Sequence, residues 1–198
     1  REMIVCVDLS CTKESLGWYE FVAPIMDIVQ KNGISCSSVH YSEYNEANYP
    51  EAEGIILCGT ALCDNVFSFH KEDFLWLSSS QCPVLGICAG LQAMILAFGG
   101  SLEMRTEIGM TPVRSLHGDR LIDRSEFMAY ELHHYAPCLP DDFIVLAKSE
   151  CCIQVVKHRS LPLYGVMFHP EVRNEWIVEK FLAICCGISR ENPDVLAF

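Results

Sequence analysis

Positive charge is scarce in this 198-residue sequence: 14 lysines and arginines stand against 26 aspartates and glutamates, for a formal net charge of −12. Gripping a phosphate backbone needs clustered Lys and Arg, so no nucleic acid is expected as a partner. Long apolar runs are missing too. None approaches the roughly 18 residues that a membrane helix needs, and no signal-peptide pattern opens the chain. The expectation is a cytoplasmic protein without membrane contact. C-x2-C pairs, internal repeats, low-complexity tracts and Pro/Gly-rich linkers are also lacking, which leaves a single domain over residues 1–198. With 51% apolar and 20% charged residues, such a domain buries roughly two-thirds of its unfolded surface.

Cysteine, by contrast, is plentiful, with 12 copies. Secreted disulfide scaffolds are short and core-poor, and this chain is neither, so a reducing compartment fits. Cys6, Cys36, Cys152, Cys185 and Cys186 lie in apolar runs, where a free thiol behaves as a small hydrophobe. Cys58 and Cys63, with His70 and His133–His134, lack metal-ligand spacing; they read as packed or exposed thiols, and no metal or cofactor is expected. The acidic stretch 43–53 reads as a solvated loop, or as a docking face for a basic partner. Trp18, Trp76 and Trp176 fall in helical patterns and are expected in the core.

Short apolar, β-branched segments at 3–7, 34–41, 53–58 and 83–87 read as strands. Helical patterns span 14–31, 66–79 and 91–98, the first stopping at Asn32-Gly33 and the last at Gly99-Gly100. Alternation of this kind implies parallel pairing through right-handed crossovers. Between 101 and 149 the strand candidates are shorter and more polar. Two further strands, 153–157 and 163–168, precede a final helix over about 175–186. The fold class expected is α/β, an open and mostly parallel sheet flanked by helices with a smaller antiparallel excursion.

Ligands in such a sheet sit at the carboxyl ends of the strands. There the sequence places Cys88 between Gly86 and Gly90, on a turn from strand to helix. Small flanking residues let strand and helix pass closely while the elbow projects the thiol, and a helix N-terminus favours a thiolate and a developing oxyanion. A thiol nucleophile wants a base, and the base an orienting acceptor. His169-Pro170-Glu171, at the exit of the last strand, supplies both. On extended chain the two side chains would project to one side, one imidazole nitrogen facing the carboxylate and the other the thiol.

The segments "LGICAGLQAM", "EGIILCGTAL" and "YGVMFHPEV" resemble, in order and spacing, the three marker segments of the class I, triad-type glutamine amidotransferases, and "LPDDFIVLAKS" resembles a segment of their GMP-synthetase glutaminase branch. The resemblance covers nearly the whole chain. It implies a flavodoxin-like domain that hydrolyses the side-chain amide of L-glutamine and passes the ammonia to a synthetase. By position, Cys88 would be the nucleophile, His169 the general base and acid, and Glu171 its orienting carboxylate. The oxyanion would lie between the Ala89 amide and one from the Gly59-Thr60 turn. Gln92 matches a substrate-contacting glutamine, and the Leu132-His133 backbone matches the stretch that holds the substrate's α-amino group. With no room for acceptor chemistry in this sequence, a separate ATP-dependent synthetase subunit is the expected partner.

Four departures from the family pattern stand out. Ala89 replaces the usual leucine after the nucleophile, and Gly59-Thr60-Ala61 replaces Gly-Gly-Pro. Met167 stands where glutamine is usual, and no glycine precedes the final helix. Two other readings keep the same residues: a stand-alone γ-glutamyl hydrolase or peptidase, and a non-catalytic glutamine-binding regulatory module.

Overall fold

A computed structural model describes residues 3–187. Strands Met3–Asp8 (β1), Ser35–His40 (β2), Ala52–Leu57 (β3), Val84–Ile87 (β4), Ser101–Ser115 (β5), Glu126–Cys138 (β6), Phe143–Lys148 (β7), Ile153–His158 (β8) and Leu163–Val166 (β9) form one sheet. Their order across it is β2-β1-β3-β4-β9-β8-β7-β5-β6. The pairs from β2 to β9 are parallel and those from β9 to β6 antiparallel. The expected α/β architecture is present, with the antiparallel strands continuing the same sheet.

The parallel strands are buried on both faces, as crossover helices require: Val5, Ile56, Leu85 and Val166 are all fully inaccessible. Helix α1 (Ala23–Lys31) packs on β1 and β2 and against α3 (Trp176–Cys186), while α2 (Ala89–Ala97) covers β3, β4 and β9.

Three elements differ from expectation. The helix expected over 14–31 is regular only from Ala23, after a wider turn at Trp18–Val22. Pro24 explains this, since proline is tolerated only in the first turn of an α-helix; Leu16 and Tyr19, ahead of it, are exposed. Residues 66–79 form 3-10 turns instead of an α-helix. There Ser68, Ser78 and Ser79 donate their hydroxyls to carbonyls three residues back, a local bond that competes with the helical ladder. Finally, 101–149 holds two long paired strands, β5 and β6, where short ones were expected. Phe127, Ala129, Glu131 and His133 alternate inward along β6, and the two charged members hide the apolar alternation. The tryptophans lie half-buried against the edge of the core, and 43–53 is mostly exposed, as a solvated loop should be.

The junction of β4 and α2 is the tightest contact that bears on function. A Cβ on Gly86 would stand 2.7 Å from the backbone of Gly90 and Leu91, and one on Gly90 would collide with the Leu57 carbonyl oxygen of β3. The obstacle is backbone, so no side-chain rotation relieves it. Gly90→Ala should therefore destabilise the protein by about 1–3 kcal/mol. Chemical denaturation tests this, and an unchanged midpoint would contradict the packing.

Candidate active site

Cys88 caps α2 with φ 47° and ψ −103°, a left-handed conformation that a non-glycine residue keeps only when its surroundings impose it. They do so from both sides. Its N–H donates to the Val166 carbonyl at 2.8 Å, and its carbonyl accepts from the Gln92 N–H at 2.9 Å. The thiol is almost wholly buried and directed at the Leu132 carbonyl, 3.8 Å away. Ahead of it lie the first amides of α2, which have no acceptor within the helix.

His169 follows β9, with its N–H on the Tyr130 carbonyl at 2.9 Å. Its Nδ1 lies 2.7 Å from Glu171 Oε1, and the two side chains are 0% and 2% exposed. The pairing expected on extended chain is made by a turn: the N–H groups of Val172 and Arg173 both donate to the His169 carbonyl. His169 Nε2 has no hydrogen-bond partner among the described residues, although Cys88 is close enough to act on the ring. Burial pushes the imidazole's proton affinity down, but Cys88 and then Glu171 outweigh it and hold the ring well above its ordinary pKa. Gly59 is required here, because a Cβ would lie 2.7 Å from the ring's Cε1. Phe21 packs against the same ring, centroid to centroid at 5.4 Å.

These residues converge at the carboxyl ends of β3, β4 and β9, beside a narrow cleft lined by Thr60, Cys88, Ala89, Gln92, Leu132 and His133 among others. A wider hollow over Lys13, Trp18, His40 and Glu43 lies away from these groups. Gln92 donates its side-chain amide to the Tyr135 carbonyl at 2.8 Å.

Two of the departures from the family pattern have a local explanation. Thr60 ties its own turn by donating to the Asp64 carbonyl at 2.9 Å, so the turn keeps only the glycine that the His169 ring demands. Before α3, Asn174 adopts φ 83°, taking the left-handed position that a glycine would otherwise fill. Met167 is fully buried.

The side chain of His133 turns away from the cleft into a buried polar cluster that sequence reasoning missed. Its Nε2 lies 3.4 Å from Glu107 Oε2 and 3.3 Å from Glu131 Oε2. Burial lowers its proton affinity, but Cys152, Glu107 and Glu131 reverse this and raise the pKa to about 12. Burial also acts on the two carboxylates, raising Glu131, whereas hydrogen bonds from His133, Cys152 and Ser149 bring Glu107 below its usual value. Cys152, expected as a small hydrophobe, instead donates its thiol to Glu107 at 2.8 Å. The signal was the pair Glu131-x-His133 on the inward face of a strand.

Fold and site together define a doubly wound α/β protein with a thiol on a strand-to-helix elbow beside a buried histidine–carboxylate pair. The family model for class-I glutamine amidotransferases matches residues 19–185. The glutamine-hydrolyzing GMP synthase subunit of Methanothrix thermoacetophila is 36% identical over 144 residues, covering 68% of this chain and 77% of that one. Its counterpart from Thermoplasma acidophilum is 34% identical over 158 residues, covering 71% and 77%. A crystal structure of a protein assigned as a GMP synthase subunit from Thermoplasma acidophilum superimposes with a TM-score of 0.80 at 25% identity over 93% of this chain and 94% of that one. A glutamine amidotransferase from Thermotoga maritima shares the fold, with a TM-score of 0.68 at 19% identity over 89% and 81%. The chain belongs to the class I glutamine amidotransferases.

The raised proton affinity of His169 has a consequence for stability. A histidine whose folded pKa exceeds its unfolded value of about 6.5 contributes stability that is complete below that pH and is lost as pH rises through the folded value. Glu171→Gln removes one of the groups that raise it, so the loss, which sets in above about pH 6.5 in both proteins, should be smaller and finish at lower pH in the variant. Urea midpoints across pH measure this; superimposable profiles would remove Glu171 as a cause.

Proposed function

We propose that this protein is the glutaminase subunit of a GMP-forming synthetase, hydrolysing L-glutamine to glutamate and ammonia through Cys88, His169 and Glu171. The observation that carries the reading is the convergence of the strained Cys88 elbow with the buried His169–Glu171 pair, 2.7 Å across, at adjoining strand ends. The glutamine-hydrolyzing GMP synthase relatives support the choice of branch.

In this mechanism the Cys88 sulfur attacks the amide carbon of glutamine. The oxyanion is held by the Ala89 N–H and an N–H of the Gly59-Thr60 turn. His169 takes up the thiol proton and delivers it from Nε2 to the departing ammonia, while Glu171 accepts from Nδ1 and fixes the tautomer. Its raised proton affinity suits this step, since the ring holds a proton ready for the leaving group. Water, deprotonated by His169, then attacks the γ-glutamyl thioester; glutamate leaves and the thiol recovers its proton. Gln92 contacts the substrate, the Leu132-His133 backbone holds its α-amino group, and the ammonia passes to a separate ATP-dependent synthetase subunit in the cytoplasm. No described helix is long and apolar enough to cross a membrane.

Exposure to an electrophilic glutamine analogue, followed by intact mass and peptide mapping, should give one adduct, on Cys88, that glutamine suppresses. Scattered labelling of other cysteines would count against the reading. Cys88→Ala should abolish glutamate formation, and His169→Ala should lower it by about 10²–10⁴-fold; turnover near wild type in Cys88→Ala would sink the mechanism.

A further inference from the structure

The buried cluster behind the cleft has a donor set that glutamine hydrolysis does not use. We propose that Glu107, His133 and Cys152, with Glu131 in reach beside His133, form a structural site for a divalent transition metal, with zinc the best match to these ligands. Imidazole nitrogen, thiolate sulfur and carboxylate oxygen are the donors zinc takes.

The spacing fits. Two nitrogen or oxygen donors, each about 2.0 Å from a tetrahedral ion, lie about 3.3 Å apart, and His133 Nε2 stands 3.4 and 3.3 Å from oxygens of Glu107 and Glu131. Cys152 Sγ lies 4.0 Å from Nε2, and the donor atoms of Glu107, His133 and Cys152 all fall within 4.8 Å of one another. The thiol is 2.8 Å from Glu107 Oε2 because it donates a proton there. As a thiolate on the ion, its sulfur would sit about 3.5 Å from that oxygen. Binding releases the Cys152 thiol proton and the ring proton from Nε2 to solvent.

A second observation concerns Glu131, whose charge partner His133 is shared with Glu107. Glu131 is fully buried, and neither of its carboxylate oxygens has a hydrogen-bond partner among the described residues. Buried carboxylates are ordinarily paired, hydrogen-bonded or bound to metal, and one N–H on Nε2 cannot point at two carboxylates. Glu107 already has the outer support of a ligand, with the Ser149 hydroxyl on Oε1 and the Gln154 amide on Oε2, both at 2.8 Å. The donors come from β5, β6 and the turn between β7 and β8, so one ion pins three segments behind the cleft. The site stands whatever the fate of the glutaminase reading.

The test uses the whole chain as Cys88→Ser, which removes the thiol at the cleft, stripped with a chelator and titrated with Co²⁺ and then Zn²⁺. The expected result is one equivalent of cobalt with intense visible bands of tetrahedral geometry and a near-ultraviolet thiolate charge-transfer band. Zinc should displace it and raise the melting temperature. Cys152→Ala should erase the charge-transfer band, and Glu131→Gln should weaken binding by at least about 10-fold. A folded Cys88→Ser protein that takes up no stoichiometric cobalt would overturn the proposal. So would a charge-transfer band that survives Cys152→Ala, the mark of adventitious binding by other cysteines. Should Cys152→Ala fail to fold, unchanged affinity in Glu131→Gln would overturn it as well.

Discussion

The site hangs from one contact, the approach of the first turn of α2 to the backbones of β3 and β4. Only hydrogens at positions 86 and 90 allow it, and it forces Cys88 into a conformation that costs roughly 1–3 kcal/mol. The strain is held in place by hydrogen bonds to Val166 and Gln92 and by the buried carboxyl-terminal halves of β3, β4 and β9. A thiol on a mobile loop would lose orientation. Here the same close approach that seals the core also aims the sulfur at the cleft.

Around this thiol the electrostatics run against those of the whole molecule. The chain is strongly acidic, yet two buried histidines on different elements, His169 after β9 and His133 on β6, both have their proton affinity raised, in each case partly by Cys88. Each owes its raised proton affinity in part to buried carboxylates, Glu171 for one and Glu107 with Glu131 for the other. Low-dielectric surroundings make such pairs count far more than the diffuse negative surface, which solvent screens. Global charge therefore says little about the environment a substrate meets.

The sequence made the parallel half of the fold legible because those strands are short, apolar and punctuated by Gly59, Gly86 and Gly99. It also brought Cys88, His169 and Glu171 into view, since each sits within a few residues of a strand end. Other features depended on partners distant in sequence. The serines of 66–79 turned an apparent helix into 3-10 turns, and Pro24 delayed α1. The departures at Thr60 and Asn174 looked like losses and turned out to be local substitutes. Glu107, Glu131 and Cys152 stayed hidden because their meeting depends on the register of β5 with β6, in which Glu107 lies opposite His133. Nothing in either segment alone reveals that pairing.

Strand β6 gives the Tyr130 carbonyl to His169, the Leu132 carbonyl to the Cys88 thiol and the Tyr135 carbonyl to Gln92, while Glu131 and His133 point the other way into the buried cluster. Five neighbouring residues thus serve as a ruler against which the rest is aligned. A single residue inserted within that span would turn every later side chain to the opposite face of the sheet. The connection from β5 to β6, by contrast, is fastened elsewhere, by the buried Leu121 and Ile122 and by the pairs Asp119–Lys157 and Asp123–Lys180.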